Sequence, residues 1–235
     1  MPTINSERLL ETLNTLRTFG ATESGVVRPS FSAVDMAARH WLREQMTAAG
    51  LEARIDGVGN VIGRSRQRGK ALLVGSHSDT QPRGGWLDGA LGVAYGIEIV
   101  RACAEDAVTR HFPVDAVAWS DEESTYLGCL GSRSFCGTLT QEAVAAATNA
   151  DGQRLTDALT AAGLDRIPPV RLEQERYLGY LEGHIEQGPY LEAEAISSVW
   201  SPPLWASVVA RSSFMDNRTT PAPRPCPTAK MPGWL

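Results

Sequence analysis

The sequence predicts an α/β fold in which a mixed β-sheet is flanked by helices, and three observations carry that prediction. Residues 71–75 and 114–119 are short, near-continuous apolar runs of the kind found in strands buried on both faces. The apolar, glycine-punctuated stretch 89–104 between them reads as a helix, so the three together make a strand-helix-strand unit and imply crossover connections. A chain of 235 residues, 43% hydrophobic and 21% charged, has an ordinary globular composition and the length for one large domain or two small ones.

The elements follow in chain order. Leu9, Leu10, Leu13 and Leu16 recur at helical spacing and Gly20 stands at a C-cap, which predicts an amphipathic helix over residues 6–19. Ser32 with Asp35 three residues on forms a capping-box pattern. Ala38, Trp41, Leu42 and Met46 supply the apolar stripe of a second helix, and Gly50 ends it. Residues 52–55 and 61–64 are β-prone and joined through Gly57-Val58-Gly59-Asn60, which suits a hairpin. Beyond the central unit, helices are predicted over 141–147 and 155–162 and a strand over 177–184. After residue 195 the composition changes: half of the fourteen prolines and half of the six tryptophans lie there, and Asp216 is its one acidic residue. The run Thr219-Thr220-Pro221-Ala222-Pro223-Arg224-Pro225-Cys226-Pro227 excludes an α-helix or a central strand. Residues 1–195 are therefore expected to fold and 196–235 to form an irregular Pro/Trp-rich tail.

Charge and punctuation narrow the class. A net charge of −5 without clustered Lys and Arg argues against nucleic-acid and anionic-membrane partners. Glu7, Arg8, Glu11 and Arg17 interrupt the first 19 residues, so no signal-peptide core is present there, and no run has the length of a membrane span; a cytoplasmic location is expected. Cys103, Cys129, Cys136 and Cys226 lack CxxC spacing and are read as reduced thiols rather than metal ligands.

The chemistry-bearing residues cluster at predicted strand ends. His77 follows the first apolar run, Glu122 and Glu123 follow the second, and His184 closes the third strand; ligands bind at the carboxyl ends of strands in open α/β sheets. Asp88 precedes the central helix, where the positive end of the helix dipole suits a carboxylate. Neutral imidazoles and carboxylates such as His77, Asp88, Glu123 and His184 suit Zn²⁺, Mn²⁺ or Co²⁺, and an aspartate using both oxygens can bridge two ions. Glu122 beside Glu123 points elsewhere and is placed to serve as general base. Taken singly each motif has a plainer reading: a structural histidine, a solvated Glu-Glu turn, an Asp-Gly turn. His40 and His111 do not converge on this set and are read as structural. The spacing of Gly89, Gly92 and Gly96 is not G-x-G-x-x-G and fits close helix packing.

In combination the motifs become specific. The series His77-Ser78-Asp79-Thr80, Gly84-Gly85-Trp86-Leu87-Asp88-Gly89, Asp121-Glu122-Glu123 with Leu130-Gly131-Ser132-Arg133-Ser134-Phe135, and His184-Ile185-Glu186-Gln187-Gly188-Pro189 resembles the amidase, hydantoinase and carbamoylase branch of the M20 metallopeptidase family, over about residues 5–195. The resemblance implies a two-metal exopeptidase-like catalytic domain. His77, Asp88 and His184 would hold one ion, Asp88 would bridge, and Glu123 would bind the second. Glu122 would act as base, Asp79 would orient His77, and Gln187 would contact substrate. It further implies a small ureido or carbamoyl substrate, such as an N-carbamoyl amino acid or allantoate, because peptidase and deacylase relatives usually place an acidic ligand at the His184 position. Family members are homodimers and longer, with a lid and dimerisation domain and a closing part that supplies the last His ligand, an oxyanion His and the Asn and Arg that grip substrate. None of these can be assigned here, so a truncated, weakly active or inactive form is expected, with a non-catalytic fragment or pseudoenzyme, or a peptidase or deacylase of the same family, as alternatives, and the tail suggests a frameshifted or mis-predicted terminus. Ser124, where the family usually has Gly, and Gly183, where a larger residue is frequent, are departures from the pattern.

Overall fold

Helix α1 (Ser6–Thr18) starts where the Asn5 side chain accepts the Arg8 amide, and α2 (Ala33–Ala48) where Ser32 accepts the Asp35 amide. Caps of this kind contribute about 1 kcal/mol each. Asp35 does not close the box on Ser32 itself; its Oδ2 accepts the Phe31 amide at 2.8 Å. The apolar stripe of α2 packs on the strands of residues 52–55 and 61–64 and that of α1 on the helix of residues 90–105, with Leu13, Leu16, Ala38, Leu42 and Met46 buried.

The computed structural model describes residues 1–200 and 207–210. Strands β1 (Glu52–Ile55), β2 (Val61–Arg64), β3 (Ala71–His77), β4 (Val114–Trp119) and β5 (Tyr177–His184) lie in the order β1-β2-β4-β3-β5. The expected tail supplies β6 (Ser198–Trp200) and β7 (Ser207–Ala210), with β7 parallel to β5 and β6 antiparallel to β7. The rest of that tail, including the proline-rich run, lies outside the described residues. β3 pairs in parallel with β4 and β5, whereas β1–β2 and β2–β4 are antiparallel, so the sheet is mixed as expected.

Helix α3 (Ala90–Glu105) makes the crossover between β3 and β4 and packs on β3, β4 and β5. It does so at glycines. A Cβ on Gly92 would stand 2.5 Å from the Gly183 carbonyl oxygen, and one on Gly96 2.8 Å from that of Val74. α1 is fixed to α3 by Arg8, whose Nε lies 2.8 Å from a Glu98 carboxylate that is 2% exposed. Short helices α4 (Leu130–Phe135), α5 (Gln141–Ala146), α6 (Leu155–Ala161) and α7 (Tyr190–Ala193), with a 3-10 turn at Gln174–Arg176, complete the described elements. α4 and α7 escape sequence prediction: α7 has only four residues, and α4 starts from Cys129 at φ +55° with no side-chain cap to announce it, unlike α5, which Thr140 caps.

Alternation along the strands divides the core in two. Val61, Val74, Val114, Ala116 and Ala118 join the helices α1–α3 in the larger cluster. Ile62, Leu73, Val117 and Trp119 turn the other way and meet Phe135, Val170 and Tyr177. Both faces of β3 and β4 are thus covered, which is why their sequences are continuous apolar runs. Cys103 and Cys136 are free thiols. The Cys129 Sγ lies 3.9 Å from Glu122 Oε1, and Cys226 lies outside the described residues. No helix among the described residues is long and apolar enough to cross a membrane.

Candidate metal centre

Parallel pairing aligns the ends of β3, β4 and β5, with His77 in register with Trp119. His77 is the last residue of β3 and His184 the last of β5, Asp88 sits two residues before α3, and Glu122 and Glu123 follow β4. Two groups of potential ligands result, each with its ligand atoms mutually within 4.8 Å: His77, Asp88 and His184, and His77, Glu122 and Glu123. Asp88 Oδ1 lies 3.2 Å from His184 Nε2 and 3.9 Å from His77 Nε2, and Glu122 Oε2 lies 3.7 Å from His77 Nε2.

Each imidazole is oriented by main chain. The Nδ1 of His77 bonds the Asp79 carbonyl at 3.0 Å, and that of His184 the Ile185 carbonyl at 2.8 Å. A carbonyl only accepts, so each Nδ1 carries a proton, and it is Nε2, turned toward Asp88, that can give up its proton and ligate. Gly89 permits this closeness: its φ is +64°, and a Cβ there would stand 2.5 Å from three atoms of the His77 ring.

The Asp79 carboxylate lies 3.8 Å from His77 Nδ1 and accepts the Glu123 amide at 3.0 Å. Gln187 donates to Asp88 Oδ2 at 2.7 Å, and the Gln81 amide donates to the Glu123 carboxylate. The 120–127 loop is held at both ends. Asn60 accepts the Ser120 amide, and Asp121, itself at φ +50°, accepts the amides of Thr125, Tyr126 and Leu127.

The electrostatics follow from crowding four carboxylates around one buried histidine. Burial alone would lower the His77 pKa, but Glu122, Asp79, Asp88 and Glu123 outweigh it and raise it to about 9. Burial opposes ionisation of Asp88 too, yet His184, His77 and Gln187 hold it down at about 2. Burial pushes Glu122 up and lifts Glu123 to about 7.

The residues fit a divalent cation. His77 Nε2 and Asp88 Oδ1 are buried polar atoms without a hydrogen-bond partner, and both point into the same group of ligands. A buried imidazole nitrogen facing a carboxylate oxygen without a hydrogen bond needs a positive charge between them, a proton on the metal-free ring or a divalent ion in its place. His40 and His111 are exposed and belong to neither group. Sequence reading gave no role to Gln81, Arg39 or Asp121. Arg39 had a signal: Asp35 and Arg39, a charged pair four residues apart, fall on the same helical stripe as Leu42 and Met46, where both are fully buried.

The chain is similar to known proteins in sequence and in fold. A family model described as peptidase family M28 matches residues 60–163. An N-carbamoyl-L-amino acid amidohydrolase of Geobacillus stearothermophilus is 40% identical over 197 residues, 80% of this chain and 48% of that protein. A ureidoglycolate hydrolase of Arabidopsis thaliana is 32% identical over 188 residues, 75% of this chain and 40% of that protein. The crystal structure of an amidase of the hydantoinase/carbamoylase family from Burkholderia phymatum superposes with a TM-score of 0.82 at 57% identity, covering 83% of this chain and 48% of that one. The chain thus spans about half the length of the curated relatives it matches. Over some four fifths of its own length it is a homologue of the hydantoinase/carbamoylase amidases, built on the M28/M20-like metallopeptidase fold.

Proposed function

We propose that this chain carries metal-binding and acid-base groups of an amidohydrolase that cleaves carbamoyl or ureido C–N bonds. The observation that supports the reading most is the convergence of His77, Asp88 and His184 with two unpartnered atoms turned toward one another. His77, Asp88 and His184 would hold one divalent ion, and Glu123 with Asp88 a second, after Gln187 releases Asp88 Oδ2. Zn²⁺, Mn²⁺ or Co²⁺ bound there supplies Lewis acidity and lowers the pKa of water. Glu122, raised by burial, takes a proton from the attacking water and returns it to the departing nitrogen. The water oxygen bonds to the carbamoyl carbon as the C–N bond breaks, and the carbamate released decomposes to carbon dioxide and ammonia. Asp79 steadies His77 and Glu123 through its carbonyl and carboxylate, and Gln187, freed from Asp88, turns to the substrate.

A peptidase or deacylase is the second reading, favoured by the M28 match over residues 60–163. Two measurements test the proposal. Metal analysis of the purified chain should find bound divalent ion that His77→Ala and His184→Ala lose, and a folded chain that binds none at saturating metal rules the ligand set out. Ammonia release from N-carbamoyl amino acids, compared with amino-acid release from dipeptides, separates the two activities in the protein that carries this chain.

A further inference from the structure

Arg39 is a fully buried guanidinium with part of its fork unspent. Its Nε donates to Asp35 Oδ2 at 2.7 Å and its Nη1 to the Gly59 carbonyl at 2.7 Å, with the Trp119 carbonyl at 3.4 Å. Its Nη2 has no hydrogen-bond partner, nor has Asp79 Oδ1, and the two face each other at 3.9 Å with both side chains fully buried. Arg28, the other large buried cation, spends its donors on the carbonyls of Ser78, Leu16 and Phe19. Among the described residues Arg39 is therefore the guanidinium within ion-pair distance of the Asp79 carboxylate.

Asp79 is the hinge between the two ligand groups, since its carbonyl sets the His77 tautomer and its carboxylate holds the Glu123 amide. A lone buried carboxylate is costly, and without the neighbouring guanidinium it would turn out of its place, which releases the Glu123 amide. Arg39 also grips the hairpin at Gly59 and the last residue of β4, one residue before the 120–123 segment. We propose that Arg39 is a positioning residue of the metal centre, acting through the Asp79 carboxylate to hold His77 and Glu123 in ligating geometry, an inference that rests on the metal reading above.

The test is Co²⁺ titration of the full chain, followed by the visible spectrum of the ion, beside thermal unfolding without metal. Arg39→Lys keeps a cation but loses the fork, and Arg39→Met loses both; each should weaken Co²⁺ binding by about 10–100-fold, the usual loss on removing a residue that orients a ligand, with Lys the milder. Asp79→Asn should weaken it similarly, and adding Arg39→Met to Asp79→Asn should weaken it no further. Folded Arg39 variants that bind Co²⁺ like the wild type, or an additive double variant, overturn the proposal while leaving the metal reading intact. A wild-type chain that binds no Co²⁺ sinks both. Should Arg39→Met fail to fold, Arg39→Lys, which keeps a cation beside both the Asp35 and Asp79 carboxylates, carries the test, and a folded Lys variant with wild-type Co²⁺ affinity overturns the proposal.

Discussion

Ser124 has a φ of +62°, a left-handed conformation, directly after the glutamate pair. The backbone thus explains why glycine suits this position. Left-handed backbone costs a non-glycine residue roughly 1–2 kcal/mol, and the added freedom of an unfolded glycine returns part of that. Ser124→Gly should raise stability by about 0.5–1 kcal/mol in urea unfolding; a loss of stability would show that the Ser124 side chain makes up for the strain. At His77 the consequence is electrostatic. Its carboxylate neighbours hold its pKa at about 9 in the metal-free chain, and Glu123 is lifted to about 7. A metal must displace those protons, so affinity should be weakest in acid, rise between about pH 6 and 9, and level off above. One displaced proton changes the dissociation constant about tenfold per pH unit. Calorimetry at pH 7 in buffers of different ionisation enthalpy should find net proton release, and pH-independent binding would contradict the His77 assignment.

At the scale of elements, α3 is the part whose placement decides the site, because it positions Asp88 at its start and lies across β3 and β5 at Gly92. A methyl group on Gly92 would meet the Gly183 carbonyl at 2.5 Å and the Ser76 Cβ at 2.6 Å, with backbone on one side that cannot swing aside. Gly92→Ala should cost about 1–3 kcal/mol, the range for overpacked cores, and should weaken metal binding as well by displacing Asp88. Thermal unfolding and Co²⁺ titration of the same variant check both. Gly183 is small for a matching reason: Tyr95 of α3 fills the space, 2.6 Å from where its Cβ would stand. The helices, strands and hairpin of residues 6–119 were readable because periodicity, caps and glycine stops agree there. α4 and α7 were not, since neither has a side-chain cap, α4 follows a left-handed Cys129 and α7 has four residues.

At the scale of the molecule, the centre joins three strand ends and the start of a helix that only the folded chain brings together. A ligand that binds the native state alone stabilises it by mass action, about 2.7 kcal/mol at a hundred times its dissociation constant. For a domain of this size that is a rise of roughly 5–10 °C in Tm, which chelator should reverse. An unchanged Tm across a Zn²⁺ titration would show that no such linkage exists.

Sequence alone determined the α/β class and the β3-α3-β4 crossover, and it singled out the candidate ligands that the fold brings together, since strands buried on both faces and donors at their ends leave patterns in local order. Tertiary structure decided what those patterns do not encode. It placed β5 beside β3 rather than β4, which is what sets His184 near His77; it put Gln187 on Asp88, and it turned Arg39 and Asp79 toward each other inside the core. The physical reason is range. Periodicity and capping are set within a few residues, whereas partners such as Arg39 and Asp79, forty positions apart, meet only when the whole sheet has closed.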